Sequence, residues 1–84
     1  MKLNESKVLL ETSFKDSLGE EEFSVKITDH LSNVVFGECV EVDIRHPEEN
    51  FRETYGKGDF PDQFFADLER RGWDFVAEKI KESF

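Results

Sequence analysis

Eighty-four residues suffice for one domain with one core, and twenty Asp and Glu against eleven Lys and Arg leave a net charge of -9. That field repels polyanions, which argues against direct binding to nucleic acid or an anionic membrane, and it favours basic partners. The longest apolar runs are three residues, Cys39 is the only cysteine, and Met1–Glu5 lacks the apolar stretch of a secretory signal, so the chain reads as a single domain, 1–84, with no membrane span, no internal disulfide and a cytoplasmic location.

Nine Phe, one Trp and one Tyr supply the apolar area that so short a chain needs for a core. Their placement is patterned. Val8, Leu10, Thr12 and Phe14 alternate with Leu9, Glu11 and Ser13, which predicts a first strand. Phe23, Val25 and Ile27 alternate with Ser24, Lys26 and Thr28, and predict a second. Val40, Val42 and Ile44 alternate with Glu41, Asp43 and Arg45, and predict a third. Period-two alternation gives a sheet with one buried face and one wet face. Phe36 shares the inward parity, and so does Glu38; a bulge at Gly37 would turn Glu38 outward, and the other reading sets Glu38 at the sheet margin. Turn formers in Asp16–Glu20 and in Asp29–Asn33 make hairpins of both connections, hence an antiparallel meander.

His46-Pro47 ends the third strand. Glu48 to Tyr55 reads as a short helix or as a loop; the helix reading rests on acidic residues in its first turn, Phe51 and Tyr55 at i,i+4, and Gly56 as its stop. Asp59 is the expected N-cap of the next helix, with Pro61 in its first turn. From there Phe64, Phe65, Leu68, Gly72, Phe75, Val76, Ile80 and Phe84 draw a stripe in steps of three and four. Arg70-Arg71-Gly72 also has the form of a helix end, but the stripe stays in phase across Gly72, so one long helix, bent there, is expected. The predicted architecture is α+β: a three-stranded antiparallel β-meander packed against a long C-terminal α-helix, β-β-β-α, with either a short helix or a loop before it.

The chemistry-bearing residues form no familiar constellation. His30, His46 and Cys39 have no metal-ligand spacing, and read as two surface histidines and a half-buried thiol with no metal or cofactor. Carboxylates flank Cys39, the reverse of what a reactive thiolate needs. Nucleophile-elbow, phosphate-loop and His-Glu-x-x-His patterns are missing from the sequence, so no enzyme activity is expected. The acid is concentrated instead. Glu20, Glu21 and Glu22 sit at a hairpin tip, and Glu48, Glu49 and Glu53 crowd the segment after the third strand. Glu41 and Asp43 project about 7 Å apart from one strand face, but Lys26 and Arg45 dilute them there. Phe51 and Tyr55 stand among the acids as aromatic anchors of an interface, or as edges of the core.

In size, acidity and α+β organisation the chain is similar to phage-encoded inhibitors, among them uracil-DNA glycosylase inhibitors and some anti-CRISPR proteins. This resemblance covers bulk properties and carries no site residue over. It agrees with the expectation from charge: a non-enzymatic inhibitor, a DNA mimic, docking Glu20, Glu21, Glu22, Glu48, Glu49, Glu53, Phe51 and Tyr55 on a basic nucleic-acid-binding protein. The alternative is an adaptor, immunity-type or structural domain that binds through its sheet edge or helix, or forms a homodimer, with acidity serving solubility.

Overall fold

The computed structural model describes the backbone of residues 4–33 and 39–84, and the side chains of 6–30 and 39–84. Four strands, β1 (Asn4–Lys15), β2 (Glu22–Asn33), β3 (Cys39–Arg45) and β4 (Phe51–Gly56), form one antiparallel sheet in the order β1-β2-β3-β4. Two helices follow, α1 (Asp62–Arg70) and α2 (Asp74–Ser83). The α+β class and the antiparallel sheet are as the sequence predicts, but the sheet has four strands in place of three and the one long helix is two shorter ones.

The extra strand is the segment expected as a short helix or loop. Phe51 and Tyr55 lie on one side of it at 6% and 7% exposure, with Ile44 and Val40 as their partners on β3. A spacing of four residues returns to the same face in a strand as well as in a helix, so Phe51 and Tyr55 alone did not discriminate. β2 is also longer than expected. It runs through Asp29–Asn33, so that segment is strand and not turn, and its link to β3 falls outside the described residues, together with Phe36, Gly37 and Glu38.

Register explains a further departure. Between Val8↔Thr28 and Leu10↔Ile27, β1 advances two residues while β2 advances one. The bulge at Leu9 reverses the parity of β1. Leu10, Thr12 and Phe14 share the face of Ile27, Val25 and Phe23, whereas Val8 shares the opposite face with Thr28 and stands 47% exposed.

The inner face of the sheet is the core: Phe23, Val25 and Ile27 of β2, Val40, Val42 and Ile44 of β3, and Phe51 and Tyr55 of β4. α1 lays Phe64 against Phe51 and Tyr55, with ring centroids 6.1 and 6.0 Å apart, and α2 brings Phe75 to Phe14 at the β1 side. Phe64, Leu68 and Ile80 are fully buried. At about 25 cal/mol per Å² of apolar area withdrawn from water, this face supplies the main stabilising force of the fold.

One long helix was expected, and Gly72 divides it. Its φ is +85°, a conformation that costs a side-chain-bearing residue about 1–2 kcal/mol. The Gly72 N–H donates to the Glu69 carbonyl and the Trp73 N–H to the Leu68 carbonyl, which satisfies the last turn of α1 in the manner of a Schellman motif. The apolar stripe stays in phase because both helices lie on the same sheet face. Asp59 is not the side-chain cap of α1; that helix starts at Asp62 after Pro61, and Asp59 contributes its backbone carbonyl to the Gln63 N–H.

Candidate functional site: an acidic end built from two turns

In an antiparallel meander the first and third turns emerge at the same end of the sheet. The β1–β2 turn is tight and self-contained. The Asp16 carboxylate accepts the N–H groups of Leu18 and Glu20 through Oδ1, both at 3.0 Å, and the Asp16 N–H donates to the Glu21 carbonyl at 2.7 Å. Gly19, at φ +73°, provides the reversal. The amide donors, Glu20 foremost, hold the Asp16 carboxyl below the ordinary carboxylate range.

The β3–β4 turn is anchored by His46. Its ring stacks on Phe23, centroids 4.3 Å apart, and its Nδ1 accepts the Glu48 N–H at 3.2 Å. The opposite nitrogen, Nε2, faces the other turn: Glu21 Oε2 lies 3.2 Å away and Asp16 Oδ2 4.0 Å away. The His46 side chain is only 9% exposed. It is therefore not a surface histidine but the piece that fills the seam between two acidic turns.

This arrangement decides how the expected binding residues group. Glu20, Glu21 and Glu22 and, from the other turn, Glu48 and Glu49 share one end with Asp16. Glu49 is tied to Arg71 at 3.2 Å, and that guanidinium lies over the rings of Phe51 and Trp73, 5.0 and 4.8 Å from their centroids. The α1–α2 junction thus closes the same end. Glu53 is apart, partway along β4, where it borders a shallow cleft with Phe51, Asp67, Arg70 and Arg71. Phe51 and Tyr55 belong to the core and not to the outer surface.

Tyr55 has a second task. Its hydroxyl donates to Asp67 Oδ2 at 2.6 Å and so joins β4 to α1. Burial and then the Asp67 carboxylate push the Tyr55 hydroxyl to a higher pKa, while the same hydrogen bond draws Asp67 down. Asp67 also accepts from Gln63 and pairs with Arg70 at 3.3 Å; the pairing of Asp67 with Arg71 suggested by i,i+4 spacing is not made.

The outer face of the sheet is a mixed network, as its sequence predicts. Glu41 takes His30 Nε2 at 2.9 Å and two Arg52 nitrogens at 3.2 and 3.1 Å, and its carboxyl is lowered first by His30 and then by Arg52. His30 is 16% exposed, so it too is engaged in the structure and not free at the surface. Cys39 is 6% exposed, and burial, followed by the carboxylates of Glu41 and Asp29, pushes its thiol up. A protonated, enclosed thiol is a poor nucleophile.

At the far end of the helices Phe60, Pro61, Phe65, Lys81 and Phe84 line an open apolar hollow of about 410 Å³, with Phe84 57% exposed. No helix is long and apolar enough to cross a membrane among the described residues. No protein-family model, curated protein or solved structure matches the chain.

The trio of Asp16, Glu21 and His46 is what sequence reasoning missed. Gaps of five and twenty-five residues form no motif. The fourth strand was the signal that could have revealed it, since a fourth strand turns residues 46–50 into a hairpin loop beside residues 16–21.

Proposed function

We propose that this chain is a small acidic protein-binding domain that docks the end formed by Asp16–Glu22 and His46–Glu49 on the basic surface of a nucleic-acid-binding protein, and blocks it as a mimic of the polyanion. The observation that carries this reading is the joining of the two acidic turns by His46. Charge gathered on one rigid surface presents a stronger local field than the same charge scattered over the molecule. Glu20, Glu21, Glu22, Glu48 and Glu49 supply that field. Glu53 is peripheral to it, Phe51 opens β4 directly after the turn, and Tyr55 lies in the core at the other end of that strand.

The test compares two variants with equal charge loss. Glu20→Gln/Glu22→Gln/Glu48→Gln removes charge from the proposed surface, and Asp62→Asn/Glu78→Gln/Glu82→Gln removes it from the helices. Both are immobilised and exposed to nuclease-treated lysate at low ionic strength. Retention of basic nucleic-acid-binding proteins should fall for the first variant and persist for the second, and bound protein should elute with salt. Equal loss in both, or retention by both, refutes the reading.

A second reading, an adaptor that docks through apolar contact, is favoured by the hollow around Phe60, Phe65 and the exposed Phe84. Partner retention that resists salt and is abolished by Phe84→Ser would select it over the acidic inhibitor.

A further inference from the structure

We propose that Asp16, Glu21 and His46 form a binding site for one divalent first-row transition-metal ion, zinc foremost, which clasps the two acidic turns together. One ligand atom from each residue already lies within 4.8 Å of the other two. His46 Nε2 is 3.2 Å from Glu21 Oε2 and 4.0 Å from Asp16 Oδ2. Ligand atoms about 2.1 Å from a tetrahedral zinc are separated from each other by roughly 3.4 Å. Closing the trio around an ion therefore asks for small side-chain rotations and no rearrangement of the turns.

The pull toward a ligand comes from His46. Its side chain is nine-tenths buried, and both its Nε2 and Glu21 Oε2 are shut off from solvent without a hydrogen-bond partner among the described residues. Two buried polar atoms that face each other in this way are costly in a protein. A cation between them satisfies both. Two carboxylates and a neutral imidazole carry a charge of -2, matched to a divalent ion. A nitrogen donor in the set favours zinc, copper, iron or nickel over magnesium or calcium.

The surroundings supply what such a site needs beyond its ligands. Asp16 Oδ1 is fixed by the Leu18 and Glu20 amides, which leaves Oδ2 toward the imidazole. Phe23 holds the ring from beneath. The Asp16 and Glu21 side chains are 18% and 36% exposed, so the trio lies close enough to the surface for an ion to enter. His46 Nδ1 now accepts the Glu48 N–H. A metal on Nε2 moves the ring proton to Nδ1 and hands that amide to solvent, which Glu48 already meets as an exposed residue. The site does not depend on the partner proposed above: it concerns an ion, and it can be tested on the isolated chain.

The experiment is calorimetric titration of chelator-treated protein with zinc chloride, with magnesium chloride as comparator, followed by amide and imidazole nitrogen NMR. Zinc should bind saturably at one per chain, and the His46 ring nitrogens and the Glu48 amide should shift. Glu21→Gln, at a partly exposed position that leaves the core intact, and His46→Gln should each weaken binding by more than about tenfold. His30→Gln/Cys39→Ser, which removes the other histidine and the only thiol, should bind zinc as the parent does. Absence of saturable zinc binding overturns the proposal. So does zinc affinity unchanged in Glu21→Gln, loss of affinity confined to His30→Gln/Cys39→Ser, or magnesium binding as tight as zinc.

Discussion

The inner face of the sheet is mainly apolar from Leu10 across to Phe51, interrupted by Thr12 and Glu53, and is closed by two helices, whereas the outer face carries Glu41, Asp43, Arg45 and Arg52, joined by ion pairs and hydrogen bonds. No Asp, Glu, Lys or Arg is buried as a whole residue among the described residues. The two faces therefore draw on different forces. Burial on the inner face is cooperative, since each ring rests on several others. The outer ion pairs stand in water, where each contributes little. A protein with nine Phe and a net charge of -9 can be both stable and strongly charged because the strands separate the two populations residue by residue.

Substitutions can break or sharpen that contrast. Phe64→Ala strikes the inner face at its centre, where the ring meets Phe51, Tyr55, Phe60 and Phe65. It should cost about 3–5 kcal/mol, a large part of the stability of a small domain, and urea denaturation should show a strongly lowered midpoint. Tyr55→Phe tests a polar bond at the border of that face. Loss of the hydroxyl that reaches Asp67 should cost about 2 kcal/mol in the same assay.

The same pair sets a pH dependence. Tyr55 titrates above its ordinary value of 10.0 in the folded chain, so its contribution is complete below pH 10 and is lost as the pH rises beyond it. Asp67 titrates below its ordinary 3.8, so its contribution is complete above that pH and is lost as the pH falls through the lower folded value. Thermal melts should therefore show an alkaline decline that Tyr55→Phe lessens; the part that remains includes the Cys39 thiol, which is raised as well. Since Tyr55 is the only tyrosine, the ultraviolet signal of tyrosinate follows it directly.

Gly72→Ala addresses the helix break that lets α1 and α2 both reach the inner face. The positive φ makes it destabilising by about 1–2 kcal/mol, a drop of several degrees or more in Tm for a domain of this size. Arg52→Ala, on the outer face, should change stability by less than about 1 kcal/mol even though its guanidinium makes two contacts to Glu41. An effect as large as that of Phe64→Ala would end the distinction between the faces.

Legibility in the sequence follows the same division. β2 and β3 could be read because Phe23-Val25-Ile27 and Val40-Val42-Ile44 alternate without interruption. β4 could not, because Glu53 interrupts its inner parity. Lying on the edge strand, that side chain reaches water past α1 and needs no apolar character. Gly72 was recognised as a helix end by its neighbours and overruled by a stripe whose continuity came from the shared sheet face. The acidic residues were visible singly. Their assembly was not, since His46, Glu21 and Asp16 meet only through the order of the strands.

That order also bears on how the chain finds its structure. Each strand pairs with its neighbour in sequence, so no loop longer than a hairpin connection must close before pairing can begin. The entropy lost at each step is correspondingly small. A meander of this kind has low contact order for a β-sheet and folds on the fast side of its class. Every pairing in the sheet is local in sequence, and its apolar face is the surface on which α1 and α2 pack.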